Sequence, residues 1–444
     1  MKIQINLPLD KDILEKFDIF VVGGTIRDIL LGDIPRDFDI VVPPPVEIFL
    51  HELKKKNYRF FVLDEKEQEY RIILSKEEWI DLSQIKGETI ESDLIMRDFT
   101  INSIGVHLKS GTLIDPTDGI KDLKGKIIRT VSGTNLIQDP LRILRAFRFF
   151  ATLGFNIEKK TEELIRELHP LINIVAMERI KYELFLILKT DQAYKTFKYM
   201  EEVGLLYDIF PELRPLRYTS QRYYNEQNLL YHSMMTMKYT EEIIEKETHP
   251  QEAGDLKVLI KLASLLHDIA KPETLSYDDE GNTHFYGHDK IGAEKVEQIA
   301  LRLKFSNKEK DILKKLVRYH MYPHLLSAEK EITKKAANRY LRKTDELAFP
   351  LLRMALGDAM ASPPRPGGMQ GYERLEKILK EILEEKKKQK KRIITGHDLI
   401  SLGLEPGPLF RKILEEIEDM WAQGEIKTKE EALAYIKQKY IQPR

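Results

Sequence analysis

The sequence predicts an α+β fold: a small mixed sheet with helices in the first third of the chain, then helices to its end. Two observations carry that expectation. In the first third, short runs rich in β-branched and aromatic residues alternate with turns. From about Asp139 onward, apolar residues recur at three- and four-residue spacing, the period of an amphipathic helix.

The strand runs are IFVVGG (19–24), FDIVV (38–42), YRFFVL (58–63), YRIILS (70–75) and INSIGVHL (101–108). Between the first two, TIRDILLG reads as a helix closed by Gly32, since a glycine just past an apolar turn accepts the left-handed conformation that ends helices. DPLRILRAFRFFATLGF (139–155) and TEELIRELHPLINIVAMERIKYELFLILKT (161–190) open the helical remainder. ASPPRPGGMQG (361–371) is the clearest linker by proline and glycine content, and HPQEAGD (249–255) reads as a loop within a domain. EEKKKQKKR (384–392) is a charge run of the kind that usually forms a solvated helix face. There is no internal repeat.

The chain has 444 residues, room for about three domains at ~150 residues each. Charged residues make up 32%, an excess of Glu and Lys seen in heat-stable proteins. Lys and Arg (71) balance Asp and Glu (72), so nucleic-acid binding would have to rest on a local basic patch. The chain has no cysteine, which excludes disulfides and thiolate metal sites. MKIQINLPLDKDILEKF lacks a signal-peptide pattern and no apolar run reaches about 18 residues, so a cytoplasmic protein without a membrane partner is expected.

FVVGGTIRDILLGDIPRDFDIVV (20–42) does not read as ordinary core. Side chains at i and i+2 of a strand share a face, so Asp37 and Asp39 present two carboxylates side by side. Such a pair repels unless a cation lies between. Mg2+, held by one or two carboxylates plus substrate phosphates, is the natural partner. Gly23 and Gly24 sit at a strand-to-helix turn, where bare backbone approaches a polyphosphate closely, and Arg27 follows one turn later. Alone, a Gly-Gly pair is usually a turn and an Asp-x-Asp a surface pair; together, in this order, they are far more specific. On the later helix, Arg142, Arg145 and Arg148 lie within an arc of roughly 120° at ~100° per residue. Three guanidinium groups on one side suit a triphosphate or an RNA backbone, the plainer reading being a solvated helix face.

VVGGTIRDILLGDIPRDFDIVV resembles the signature of the class II tRNA nucleotidyltransferases, the CCA-adding enzymes, and of their poly(A) polymerase relatives. DLIMRDFTINSIGV, GTLIDPTDGIKDLKGKIIRTV, QDPLRILRAFRF, AMERIKYELFLIL and MEEVGLLYDIFPEL follow in the family's order, so the resemblance runs from about residue 18 to 213. It implies a polymerase-beta-like nucleotidyltransferase head. It also implies roles: Asp37 and Asp39 as metal-binding carboxylates with Asp81 as the third, Gly24, Arg27 and Arg97 on the nucleotide, Asp139 and Arg142 as the pair that imitates a template base, and Arg145 and Arg148 as nucleotide-binding arginines. Two departures stand out. Gln138 replaces the glutamate that often precedes the base-reading aspartate. The segment between Asp81 and Arg97, LSQIKGETIESDLIM, is short and lacks the long loop with an Arg-Arg-Pro-like element that helps relatives switch from CTP to ATP. That loss resembles enzymes that add only the two cytidines and leave the terminal A to a separate A-adding partner.

A second constellation spans 226–360. LLYHSMMTM holds His232, LASLLHDIAKP holds His267, Asp268 and Lys271, HFYGHDKIGAE holds His288, VRYHMYPH holds His320 and His324, and MALGDAMAS holds Asp358. Adjacent His-Asp at the end of an apolar helix, with distant His and Asp partners, suits an octahedral N/O metal site. It resembles the HD metal-dependent phosphohydrolase superfamily. The resemblance implies His232, His267, Asp268 and Asp358 as ligands of an unidentified divalent metal, His288 and His320 as additional histidines, Lys271 as a companion, and phosphomonoester or 2′,3′-cyclic phosphodiester ends as substrates. The plainer reading is a helical domain that shapes a tRNA groove.

The implied division is a nucleotidyltransferase head (1–133), a helical neck and body (134–225), an HD domain (226–365) and a C-terminal helical segment (366–444) supporting the tRNA, with Lys386 to Arg392 near phosphate. The implied activity is template-independent addition of C, and of A, to the tRNA 3′ end, with tRNA, CTP and ATP as partners. A CC-only enzyme, a poly(A) polymerase, and a phosphohydrolase with a nucleotide-binding head stay open as alternatives.

Overall fold

The computed structural model describes residues 2–35, 37–219, 228–246, 254–362, 368–389, 393–422 and 425–441. Residues 249–253 of the HPQEAGD loop and 363–367 of the Pro-Gly linker fall outside them, and of the run Lys386 to Arg392 only Lys386 has a described side chain. The chain forms two compact units, residues 1–324 with 346–366, and 325–345 with 367–444.

Helix α1 (Lys11–Lys16) precedes a sheet built from β1 (Phe20–Val22), β2 (Asp37–Val42), β3 (Arg59–Asp64), β4 (Glu69–Ile73), β5 (Trp79–Gln84), β6 (Gly105–His107) and β7 (Thr112–Ile114). Helices α2 (Gly23–Leu31), α3 (Val46–Lys55), α4 (Ile90–Ile95) and α5 (Gly119–Gly125) connect and cover it. The strand order is β3-β4-β5-β2-β1-β6-β7. All its pairings are antiparallel except β2 with β5, which run parallel. The sheet is therefore mixed, as the short apolar runs imply. Its buried side, with Val21, Ile40, Val42, Ile72, Ile80 and Leu82, packs on Ile26, Phe49 and Leu53 of the helices. Helix α2 ends at Gly32 with φ 94°, the left-handed cap read from the sequence.

Next come α6 (Gly133–Gln138), α7 (Leu141–Leu153), α8 (Lys159–Leu168), α9 (Met177–Leu188), α10 (Ala193–Val203), α11 (Leu205–Ile209) and α12 (Arg214–Tyr218). Helix α7 buries Ile143, Leu144, Ala146, Phe147 and Phe149 and packs against α9. A small parallel pair, β8 (Ile127–Ile128) with β9 (Asn156–Ile157), ties the end of the head to the neck.

A bundle follows: α13 (Leu229–Lys246), α14 (Asp255–Leu266), α15 (Lys271–Thr274), α16 (His288–Arg302), α17 (Asn307–Tyr319) and α18 (Met321–Ser327), with α20 (Ala348–Met360) returning to it after α19 (Lys334–Thr344). Strands β10 (Ser276–Tyr277) and β11 (Thr283–His284) form a short hairpin before α16. Ser306 and Glu309 form a capping box at the start of α17. In the second unit, α19 packs on α21 (Gln370–Gln389), while Leu399, Ile413, Ile417, Ile426 and Ile436 form a separate core among α22 (Gly396–Ser401), α23 (Pro408–Ala422) and α24 (Lys429–Tyr440). Among the described residues no helix is long and apolar enough to cross a membrane.

Candidate active cleft and candidate metal centre

The parallel pairing of β2 and β5 sets Asp39 directly opposite Asp81, so carboxylates from two strands share one face. Thr25, buried at the start of α2, fixes that face. Its hydroxyl accepts from the Asp39 N–H at 2.7 Å and lies 3.4 Å from the Asp37 carbonyl. Gly24 N–H donates to Asp39 Oδ2 at 3.2 Å. Gly23 has φ +67°, and a Cβ there would sit 2.8 Å from Arg97 NH1 and 3.1 Å from Asp39 Oδ2. Only glycine lets the turn lie against both.

Gly23, Gly24, Asp39, Asp81 and Arg97 line a cleft of about 420 Å³, together with Asp93, Asp98, Asn102, Asp139, Arg142, Arg145 and Arg179. The structure thus brings Gly24, Asp39, Asp81, Arg97, Asp139, Arg142 and Arg145 to one cleft. Asp37 is exposed on the same strand face as Asp39; Asp37, Arg27 and Arg148 are not among the residues lining the cleft.

Burial pushes the Asp39 carboxyl up; the Arg97 charge pulls it down, but the charges of Asp81 and Asp37 add to the rise. A divalent cation between these carboxylates would remove that repulsion, so the set fits Mg2+. Arg71, opposite Asp81 on β4, donates to both of its oxygens at 2.7 and 2.8 Å and lies over the Trp79 ring, 4.7 Å from its centroid.

On α7 the arginines divide. Arg142 NH1 donates to the Met96 carbonyl at 2.9 Å and the Asn135 carbonyl at 3.3 Å. Arg145 Nε and NH2 hold Asp98 Oδ2 at 2.9 and 2.8 Å. Burial alone would raise the Asp98 carboxyl, but Arg145 and the Asn102 amide outweigh it and lower it to about 2. Arg148 meets Glu183 on α9 at 2.7 Å and lies over Phe149. Arg27 donates to Asn102 at 2.9 Å, and Asn102 to Asp98 at 2.9 Å. Asp139 is held by Arg179 on α9 through two bonds, NH1 to Oδ1 at 3.2 Å and NH2 to Oδ2 at 2.9 Å. Reading the residues one by one missed Arg71 and Arg179. Strand register would have found the first; nothing local marks the second.

In the bundle, His232, His267, Asp268, His288, His320 and Asp358 are all buried. His232, His267 and Asp268 offer ligand atoms within 4.8 Å of one another, and so do Asp268, His288 and His320. His267, His288 and His320 each set Nδ1 on the carbonyl three residues back, of Ser264 at 2.9 Å, Phe285 at 2.7 Å and Val317 at 2.7 Å. With Nδ1 donating, the Nε2 lone pairs turn inward, as ligation requires. Burial, then the charges of His267 and His288, hold His320 well below the ordinary imidazole range, which keeps it neutral. Burial would raise Asp268, but His267 and Lys271 outweigh it and keep it well below the carboxylate range. Imidazole nitrogens gathered around buried carboxylates fit a divalent N/O-type metal. Lys271 Nζ lies 2.7 Å from Asp268, His232 Nε2 3.2 Å from Asp358, and His324 Nε2 2.7 Å from the other Asp358 oxygen. Asp358 reaches His232 because α13 and α20 cross closely at Gly357: a Cβ there would stand 2.8 Å from Thr240 N and 3.0 Å from Thr236 O.

Residues 19–89 and 82–129 match the "Poly A polymerase head domain", 154–216 the "Probable RNA and SrmB- binding site of polymerase A", and 229–349 the "HD domain". The chain is 31% identical to the A-adding tRNA nucleotidyltransferase of Deinococcus radiodurans, over 94% of each chain. It is 30% identical to the CC-adding tRNA nucleotidyltransferase of Thermus thermophilus, over 94% of this chain and 93% of that one. The fold is similar to that of the Thermotoga maritima CCA-adding enzyme complexed with tRNA, with TM-score 0.58 at 22% identity, covering 96% of this chain and 95% of that one. The chain belongs to the class II tRNA nucleotidyltransferase and poly(A) polymerase family, in the form that carries an HD domain.

Proposed function

We propose that the protein adds cytidines to the 3′ end of tRNA without a nucleic-acid template. The observation that carries this is the cleft in which Gly23, Gly24, Asp39, Asp81 and Arg97 of the head face Asp139 and Arg142 of the neck. The tRNA 3′ oxygen attacks the α-phosphorus of CTP, the bond to the bridging oxygen breaks, and pyrophosphate leaves. Asp37 and Asp39, with Asp81, would hold Mg2+, which when bound lowers the pKa of the attacking hydroxyl and neutralises the leaving group. Gly23 and Gly24 admit the triphosphate to the backbone, and Arg97 beside them meets its charge. Asp139 offers acceptors and Arg142 donors to the base edge, with Arg145 holding the helix that carries them.

Termination after the cytidines is supported by the segment between Asp81 and Arg97. There β5 ends at Gln84, and Thr89 with Ser92 forms a capping box that starts α4 at once. No length is left for a mobile loop to change the pocket from CTP to ATP. The A-adding relative favours the opposite reading. Primer extension with Mg2+ decides: two cytidines and no A on tRNA lacking its last three nucleotides fits the proposal. Addition of A alone to tRNA lacking only its last nucleotide would replace it.

The buried cluster supports a second activity, hydrolysis of phosphomonoester or 2′,3′-cyclic phosphodiester ends. A water oxygen attacks phosphorus, one P–O bond to ribose breaks, and the ribose oxygen takes up a proton. His232, His267, Asp268 and Asp358 would hold the divalent metal, with His288 and His320 beside them. When bound, the metal would supply an activated water. Lys271 stands where it could meet phosphate charge.

A further inference from the structure

The hairpin β10–β11 and the three residues after it lead straight into the His/Asp cluster, and they carry aromatic surface that the helical core does not use. Tyr286 is 77% exposed and Tyr277 67% exposed. Tyr286 is stacked on His284, with ring planes 7° apart and centroids 5.1 Å apart. The stack is fixed from below. His284 Nε2 lies 2.9 Å from Asp278 Oδ2. Asp278 itself accepts from the backbone N–H groups of Glu280 at 3.1 Å and Asn282 at 2.7 Å, and from the Asn282 side-chain amide at 3.0 Å. The His284 ring is therefore held in place before any ligand arrives.

Phe285, between the two stacked rings in sequence, faces the other way. It is buried, with Lys271 Nζ 5.3 Å from its ring centroid, and its carbonyl receives the Nδ1–H of His288 at 2.7 Å. One residue thus braces two members of the cluster, while its neighbours on either side present a flat ring pair outward. A large exposed aromatic held rigid costs solvation, and core packing does not require it. Bases stack on such a surface whatever their sequence, because each has a π face.

We propose that His284 and Tyr286 form a stacking platform for the nucleobase next to the phosphate that the His/Asp cluster acts on. The substrate class is then a nucleotide or an RNA 3′ end, not a base-free phosphate ester. The proposal rests on the hydrolytic reading of that cluster, and the test separates the two.

Binding of 3′-AMP, of a short single-stranded oligoribonucleotide ending in a 3′-phosphate, and of ribose 5-phosphate is measured calorimetrically on the full chain loaded with Mn2+, for wild type, Tyr286→Ala and Tyr286→Phe. Binding at the head is common to all three proteins and cancels in the comparison. We expect Tyr286→Ala to weaken the base-containing ligands about tenfold, Tyr286→Phe to retain affinity, and ribose 5-phosphate to be indifferent. Weakening of both base-containing ligands marks free nucleotides as sufficient; weakening of the oligonucleotide alone marks the RNA end. Equal affinities in all three proteins overturn the platform, even if wild type hydrolyses 3′-AMP. A loss confined to base-containing ligands, with no hydrolysis by wild type, keeps the platform and removes the hydrolytic reading.

Discussion

Arg179 grips Asp139 through two parallel bonds, although the two residues are 40 positions apart, Asp139 just before α7 and Arg179 on α9. Arg142, the other half of the proposed base-reading pair, is held separately by the carbonyls of Met96 and Asn135. The two groups are thus aimed by independent anchors. We expect Arg142→Ala and Arg179→Ala each to relax the choice among nucleotides by about tenfold, and Arg179→Lys to rescue little, because an ammonium does not reproduce a two-point fork. Primer extension with single labelled nucleotides reads this. Unchanged selectivity in Arg179→Ala would show that the grip is only structural.

Asp39→Ala should lower nucleotide addition by about three orders of magnitude, with Asp37→Ala close behind. Both should leave hydrolysis by the His/Asp cluster intact. Parallel assays on one preparation check it; equal loss of both activities would point to misfolding.

Asp98 has a folded-state pKa of about 2 against an ordinary value of 3.8, so it is lowered by the fold. A lowered carboxyl contributes stability that is full above the unfolded pKa and is lost as pH falls toward the folded one. The contribution is about 2 kcal/mol, lost between about pH 4 and 2. Urea titrations from pH 5 to 2 should show that step in the wild type and a smaller one in Asp98→Asn. Arg145→Ala should cost more, about 3–5 kcal/mol, by leaving a buried carboxylate unpaired.

Gly357→Ala places a methyl group against the Thr240 backbone and the Thr236 carbonyl. We expect a loss of about 1–3 kcal/mol and weaker metal retention, since Asp358 moves with its helix. Thermal melting with and without Mn2+ measures both; an unshifted curve would mean that α13 and α20 separate without strain.

Much of this was legible in the sequence where periodicity is short. The two-residue period of a strand put Asp37 and Asp39 on one face, and the left-handed cap at Gly32 followed from one residue type. The His/Asp cluster was legible because its members fall at helix ends in recognisable strings. Arg71 was not, since its partner Asp81 is chosen by the register of β4 against β5. Arg179 and Glu183 were not, because which residues of α9 meet α7 depends on how the two helices pack. His324 stood in view in VRYHMYPH, yet its contact with Asp358 depends on α20 returning from the second unit. The arginines at 142, 145 and 148 shared one side of α7 as their spacing required, but only Arg145 and Arg148 meet a common partner, Glu183, while Arg142 turns to the carbonyls of Met96 and Asn135.

That division among the arginines bears on how such an enzyme can diverge. Arg145 and Arg148 are committed to Asp98 and Glu183, and Asp98 reaches on through Asn102 to Arg27 on α2. Changes at those positions disturb the frame of the molecule. Asp139 and Arg142 stand at the start of the same helix, on anchors of their own. If Asp139 and Arg142 read the base as proposed, a lineage can exchange one nucleotide preference for another at the start of α7, while inheriting its footing unchanged.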